Sequence, residues 1–404
     1  MEASSYPPLI QGLIKAASRK MAPFLHLALL ATIASLISPG RACTTDEQCS
    51  LNGVCTNHAC ICDPGWVGSD CGRLDVQPGP RANGYNLTSE GTSSWCNGII
   101  RDPEDKNLHH LFVSEFTHDC GLDYWSPYSR IIRAESTTGP IGPYTFKQEI
   151  VPRFAHNPTV VWSEAEQKYL LFNIGCPTHV PSGCQSMNFT CGPGNHLNGE
   201  SGISAWSSGN LRDWEPHGQV LRGLNSKAWD ADTTNPAPIN YPTGSDHSDA
   251  FILAYRGCED NCYSTELINI ATGPEYNGPY SRLHPHRPIF SEPSEDPFIW
   301  TDKRGNFHML VHSLLPDAGF GSGPNVGRHA YSRKWNGPWT FNRQTVAFNT
   351  TVDFDDGSTI DYYRRERPNI FFSEDGSMTP LFLSTGVQEV NSSASYSLIQ
   401  PIGR

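Results

Sequence analysis

Glu295-Asp296-Pro297-Phe298-Ile299-Trp300, followed by Asp302, Gly305 and Phe307-His308-Met309-Leu310, is the stretch whose reading decides the fold. Two acids precede a proline, then come a β-prone run, a turn built on Asp and Gly, and a second apolar strand. Proline has no N–H to give a ladder, so inside a sheet it marks a strand start or a bulge. The same grammar returns along the chain. Arg101-Asp102-Pro103, His156-Asn157-Pro158, Thr234-Asn235-Pro236 and Glu366-Arg367-Pro368 open comparable units, and the five prolines are spaced by 55, 78, 61 and 71 residues. A closing signal recurs as well, at Gly142-Pro143-Tyr144, Asp213-Trp214, Gly278-Pro279-Tyr280 and Gly337-Pro338-Trp339. The fifth unit, near Asn391–Ile402, has no clear closing strand.

Composition agrees with many short strands. Of 404 residues 37% are hydrophobic and only 17% charged, while Gly 36 and Pro 32 supply frequent turns. No long segment shows a 3.6-residue period. Short apolar runs such as Leu108–Phe112, Tyr169–Phe172 and Phe251–Tyr255 are bounded by turn formers. Five units of this size fit radial four-stranded blades around a channel better than a β-sandwich pair or a β-helix. The fold class expected is therefore all-β: a five-bladed β-propeller over 94–404, preceded by a small disulfide-rich module. The net charge of -12 and the lack of Lys/Arg runs argue against nucleic acid as a partner.

The N-terminus reads as a secretory signal over 1–42. Lys15, Arg19 and Lys20 precede a mostly apolar run from Ala22 to Ile37, and small residues precede Cys43. That run is short for a membrane span, and none is expected in the mature chain. Thirteen cysteines fit an oxidising, extracellular compartment. Sequons at Asn86, Asn188, Asn349 and Asn391 then become candidate glycosylation sites of a secreted protein.

Six cysteines fall within 43–72: Cys43, Cys49, Cys55, Cys60, Cys62 and Cys71. So short a segment needs covalent staples, and spacing alone leaves fifteen pairings open. The ending Cys60-Ile61-Cys62-Asp63-Pro64-Gly65-Trp66, then Gly68 and Cys71, resembles an EGF-like domain. The resemblance implies Cys43–Cys55, Cys49–Cys60 and Cys62–Cys71, and a possible protein partner for the module. Gly40-Arg41-Ala42 stands where the calcium-binding subclass has acids, so no calcium is expected there. Residues 73–93, rich in Gly, Pro, Ser and Asn, read as a linker. In the propeller the spacing favours Cys258–Cys262, Cys96–Cys120 and one bond within 176–191, with one of seven thiols left over.

Residues 94–404 resemble the five-bladed propellers of the glycoside hydrolase family 43 and family 32/68 superfamily, most strongly at Glu295–Leu310. The resemblance implies an oligo- or polysaccharide partner, hydrolysis by paired carboxyls at the channel, and acids on the first three blades. Asp102 matches the first position. Asn157 and Asn235 occupy the second and third, with Asp232 close by, so the standard acid set is broken. Glu295, Asp296 and Glu366 are the replacement acids, giving catalytic candidates Asp102, Asp232, Glu295, Asp296 and Glu366. Candidate binding residues are Glu115, His118, His156, Asn157, Asn235, Trp300, Arg365 and Arg367, the arginines for carboxylates or acidic sugars. Trp95, Tyr124, Trp125, Trp206 and Trp229 are further stacking platforms. No cofactor is expected apart from the structural calcium that the resemblance allows in the channel. His308 and His312, about 13 Å apart on one strand, cannot share a metal. The expected activity is glycosidase-like. The alternative is a non-catalytic glycan-binding or adhesion protein that has lost its acids.

Overall fold

A computed structural model describes residues 43–176, 179–185, 202–225, 227–241, 251–259, 265–315 and 326–403, with the side chains at 96 and 97 outside the described set. The signal-peptide reading, Asn188, Cys191 and Cys262 lie outside these residues. Among them no helix is long and apolar enough to cross a membrane.

Residues 43–74 form two small hairpins, β1 (Gly53–Thr56) with β2 (Ala59–Cys62) and β3 (Trp66–Val67) with β4 (Arg73–Leu74). The disulfides are Cys43–Cys55, Cys49–Cys60 and Cys62–Cys71, as the resemblance implies.

Five antiparallel sheets follow. Blade 1 is β5 (Ser94–Arg101), β6 (His109–Phe116), β7 (Ser129–Ser136) and β8 (Thr145–Val151). Blade 2 is β9 (His156–Ser163), β10 (Lys168–Ile174), β11 (Gly202–Ser208) and β12 (Glu215–Arg222). Blade 3 is β13 (Asp232–Asn240), β14 (Phe251–Cys258), β15 (Leu267–Gly273) and β16 (Ser281–Arg282). Blade 4 is β17 (Ser294–Thr301), β18 (Phe307–Ser313), β19 (Gly327–Ser332) and β20 (Thr340–Phe341). Blade 5 is built on β22 (Thr359–Phe372), β23 (Pro380–Glu389) and β24 (Ser395–Pro401), with β21 (Thr351–Asp353) paired to the first part of β22. Each closing signal sits just ahead of an outermost strand. Middle strands are apolar on both faces because blades pack on blades. Phe112, Phe172 and Tyr255 are fully buried, each contributing about 2 kcal/mol of apolar burial.

The missing closing strand of the fifth unit comes from the other end of the chain. Gln77 N donates to Pro401 O at 2.8 Å, and Tyr85 and Ser397 exchange backbone bonds at 2.9 and 3.1 Å. The expected linker is thus a strap along β24 that closes the ring. Glu115, read as a binding residue, anchors it: Tyr85 Oη donates to its carboxylate at 2.5 Å, and Arg130 Nε donates from the other side at 3.0 Å. At 4% exposure Glu115 is a structural clamp.

The disulfide module seats on blade 4. Trp66 stacks on Trp300 at 6.3 Å and packs against His329 at 5.1 Å. Arg304 pairs with Asp63 at 3.1 Å, Tyr331 Oη donates to Glu47 O at 2.7 Å, and Thr345 Oγ1 donates to Asp70 at 2.7 Å. Trp300, expected to stack on a sugar, is buried in this seam instead.

Candidate active site

Four inner strands open with one backbone device. Asn157, Asn235, Asp296 and Arg367 all have left-handed φ, between 53° and 56°, and strand register slips where each meets its proline. Asn and Asp tolerate this conformation better than most residues, while arginine is held in it at a cost of about 1 kcal/mol or more. Such bulges re-aim side chains, and here they aim them at the axis. The four side chains join into a chain across the channel. Asn157 Nδ2 donates to Asn235 Oδ1 at 2.6 Å, Asn235 Nδ2 to Asp296 Oδ1 at 2.7 Å, and Arg367 Nη1 to Asp296 Oδ1 at 3.0 Å.

Above this floor lies a cavity of about 130 Å³. Its polar wall, from blades 3 to 5, carries Arg256, Glu295, Asp296, Arg364 and Glu366. Its other wall carries Trp95, Leu122, Asp123, Trp125 and His156. The His156 ring lies 4.7 Å from that of Trp125, and its Nδ1 is 3.0 Å from Ser129 Oγ. Complete burial, with Arg367 adding to it, holds its imidazole well below the usual range, so it is uncharged.

His312 lies behind the acids. Its Nδ1 is 3.1 Å from Glu295 Oε1, and its Nε2 is 3.8 Å from Glu366 Oε1. Burial disfavours the imidazolium, but Glu366, Glu295 and Asp296 outweigh it and push His312 up to about 10. Burial likewise raises each carboxyl, and neighbours then separate them. The His312 hydrogen bond and charge, with Arg256 and Arg367, bring Glu295 down. Glu366 stays raised, to about 7, by burial and the Glu295 charge against His312. Asp296 stands at about 6 from burial and Glu295, opposed by Arg367. Two carboxyls of opposite protonation thus share one cavity, the arrangement acid–base chemistry requires.

Glu295, Asp296, His312 and Glu366 each present a ligand atom, all within 4.8 Å of one another. Glu366 Oε1 is buried with no hydrogen-bond partner among the described residues. Three of these groups offer carboxyl oxygens, but the fourth is the His312 imidazole, which its acid neighbours keep protonated, so the set does not fit the channel calcium that the resemblance allows.

The structure brings Glu295, Asp296, Glu366, His156, Asn157 and Asn235 together, with Arg367 holding Asp296. It does not bring the others. Asp102 ends β5 at the far side, 2.8 Å from both His110 Nε2 and Arg212 Nη2, and ties blade 1 to blade 2. Burial would raise its carboxyl, but the hydrogen bonds from His110, two backbone N–H groups and Arg212 hold it well below the usual range. The blade 1 opening is Trp95-Cys96-Asn97, where register slips between Trp95 and Asn97, so the first-blade position has no acid. Asp232 begins β13 fully buried and does not line the cavity. His118 is exposed against Tyr128. Arg365 points away, bonded to Gln400 Oε1 at 2.7 Å, Asn349 O and Thr385. Cys120 pairs with Cys184 rather than Cys96, since the 179–185 loop, not the start of β5, reaches it. Cys176 and Cys258 are also disulfide-bonded. Asn86, Asn349 and Asn391 are exposed. Sequence reading missed Arg256, Arg364 and the bridging role of His312. Only the Arg364–Arg367 run hinted at them, and the cavity-facing arginine in that run is Arg364.

Comparison with known proteins divides along the same seam. Residues 30–72 match the family described as the EB module. A stretch of 83 residues is 30% identical to the protein tag-53 of Caenorhabditis elegans, covering 20% of this chain and 6% of that protein. The propeller is similar in fold to Zg3597, a family 117 glycoside hydrolase from Zobellia galactanivorans, with TM-score 0.52 and 14% identity over 81% of this chain and 88% of that one. A structure titled glycoside hydrolase aligns with TM-score 0.55 and 11% identity over 81% and 92%. The α-L-arabinofuranosidase PaAbf62A from Podospora anserina aligns with TM-score 0.50 and 11% identity over 81% and 95%.

Proposed function

We propose that this chain is a secreted carbohydrate-active protein that hydrolyses a glycosidic bond of an extracellular or cell-wall polysaccharide. The observation that carries the reading is the convergence of Glu295 and Glu366 on one cavity beside His312, with burial and the Glu295 charge raising Glu366 while the His312 hydrogen bond brings Glu295 down. Glu366, raised to about 7, keeps its proton below neutrality and gives it to the leaving oxygen. Glu295, kept ionised, attacks the anomeric carbon or takes the proton of an attacking water. Each offers an oxygen within 4.8 Å of the other, so both can reach one glycosidic bond. Asp296 is fixed by Asn235 and Arg367 beneath the sugar. Trp95 and Trp125 offer apolar faces for its ring. The disulfides and glycosylation sequons support secretion.

The test is a screen of secreted protein against plant, algal and fungal polysaccharides, with reducing ends and binding read together. Glu295→Gln and Glu366→Gln should each lower release by about a hundredfold or more. Turnover untouched by either change contradicts the assignment. A second reading rests on Asn157 and Asn235, which put amides where the resemblance implies acids. Binding without release by the unaltered protein would favour that reading, a glycan-binding propeller.

A further inference from the structure

We propose that Asn52, His329, His308 and Asp302 form an acid-sensitive latch between the disulfide module and blade 4, and that acidification releases the module from the propeller. The inference concerns this seam alone and does not depend on the function proposed above.

His308 and His329 lie on the adjacent strands β18 and β19, fully buried and nearly coplanar, with His308 Nδ1 3.0 Å from His329 Nε2. Trp300 stacks on His308 at 5.3 Å, and Trp66 of the module lies 5.1 Å from His329. The two outer nitrogens face unlike groups. His308 Nε2 is 3.4 Å from Asp302 Oδ2, and His329 Nδ1 is 3.4 Å from Asn52 Nδ2 of the module. Asn52 Nδ2 also donates to Cys71 O at 3.2 Å, which fixes that atom as the amide nitrogen.

These contacts admit one order of protons. An N–H of Asn52 meets His329 Nδ1, so that nitrogen is the bare acceptor and Nε2 carries the ring's proton. His329 Nε2 then donates to His308 Nδ1, and the N–H of His308 Nε2 points at the Asp302 carboxylate. One more proton breaks this order wherever it sits. A cation at His329 sets its Nδ1–H against the N–H of Asn52. A cation at His308 either sets two N–H groups against each other between the rings, or drives the His329 proton across to Nδ1 and makes the same clash with Asn52. Turning the Asn52 amide would give His329 an acceptor, but would set the amide oxygen against Cys71 O. An unmatched buried donor is costly, and the module carries the mismatch.

The surrounding charges do not remove the cost. Asp302 favours a cation at His308, Arg304 opposes it, and Asp63 of the module, which is bonded to Arg304 and Lys303, favours it. Tyr331 packs on His329 at 5.5 Å, and its hydroxyl is committed to Glu47 O. Burial outweighs Asp302 and holds His308 below the usual imidazole range, and burial with the His308 charge holds His329 well below it. Undocked rings take up protons as pH falls through about 6.5, so acid favours the undocked state and neutral pH the docked one.

The experiment follows the full chain, labelled with 5-fluorotryptophan, by fluorine NMR from neutral pH into the acid range. Trp66→Phe and Trp206→Phe assign the two reporting resonances: Trp66 for the seam, and Trp206 on β11 for the propeller. Below about pH 6.5 the Trp66 resonance should move reversibly toward its position in the urea-unfolded chain, while Trp206 stays. Asn52→Asp gives a protonated His329 Nδ1 an acceptor and should move the change lower by about one pH unit or more. If Asn52→Asp fails to fold, His308→Phe keeps a ring against Trp300, removes the ring that Asp302 favours as a cation, and should also move the change lower. A Trp66 resonance that holds its place through the acid range, or that moves only together with Trp206, overturns the inference. So does a change at the parent's pH in the folded variant.

Discussion

His312 touches two carboxyls of opposite character: its Nδ1 lies 3.1 Å from Glu295 and its Nε2 3.8 Å from Glu366, which come from neighbouring blades. One cation therefore biases both groups, and most of the site's expected behaviour follows from it.

The first expectation concerns pH. Activity needs Glu295 ionised and Glu366 protonated. The rate should hold through the acid range and fall as pH rises through about 7, the value to which burial and Glu295 push Glu366. His312 lowers both carboxyls, so His312→Gln should move both limbs of the profile to higher pH. A pH–rate profile of the two proteins checks this. An alkaline limb that moves down, or stays still, is the wrong result.

Asn235 is an amide between an amide and a carboxylate, bonded to Asp296 at 2.7 Å. Asn235→Asp would set two carboxylates against each other, and both cannot ionise. The cost should be about 1–3 kcal/mol at neutral pH. It should fade as the pair protonates in acid, so melting curves of variant and parent should converge as pH falls.

Asp102 belongs to the scaffold. Asp102→Asn weakens the hydrogen bonds with His110, Arg212 and two backbone N–H groups and should cost about 1–3 kcal/mol. Because the folded protein depresses this carboxyl, its stabilisation exists above the ordinary carboxylate range and is lost as pH falls. Denaturant titrations should therefore show the variant's deficit shrinking in acid. A folded variant should keep its turnover number, and loss of turnover without loss of stability would return Asp102 to the catalytic set.

The module and the strap should behave as parts of the propeller. Trp66→Ala empties the stack against Trp300 and His329 and should cost about 3–5 kcal/mol. Tyr85→Phe removes the bond to Glu115 and should cost about 2 kcal/mol. Both should lower the melting temperature of the propeller itself. A separate module transition that leaves the propeller transition unmoved would contradict the docked arrangement.

The sequence carried the fold well, because blade grammar is local: a polar residue, a proline, a strand, a turn. Four of the five openings were legible for that reason. The first was misread because Arg101-Asp102-Pro103 has the right letters at the wrong end of β5, while the true opening, Trp95-Cys96-Asn97, has no proline. That slip displaced Asp102 from the site. Glu295, Asp296 and Glu366 were legible as acids beside blade openings. Arg256 was not, since it lies on a middle strand, β14, and reaches the cavity only through the packing of the blades. Arg365 and Arg364 are neighbours on one strand and so face opposite ways, a choice fixed by the register slips along β22. The strap along β24 was invisible because its partner lies some 300 residues away, and Gly-Pro composition reads as linker.

The central claim is that Glu366 is the acid of a glycosidase. Its most direct test is reducing-end release from the polysaccharide panel, measured on the acid side of neutrality for the unaltered protein and for Glu366→Gln. The account predicts release by the first and a loss of about a hundredfold or more in the second, with the melting temperature retained. Release that survives Glu366→Gln, or no release from any polysaccharide by the unaltered protein, would contradict it.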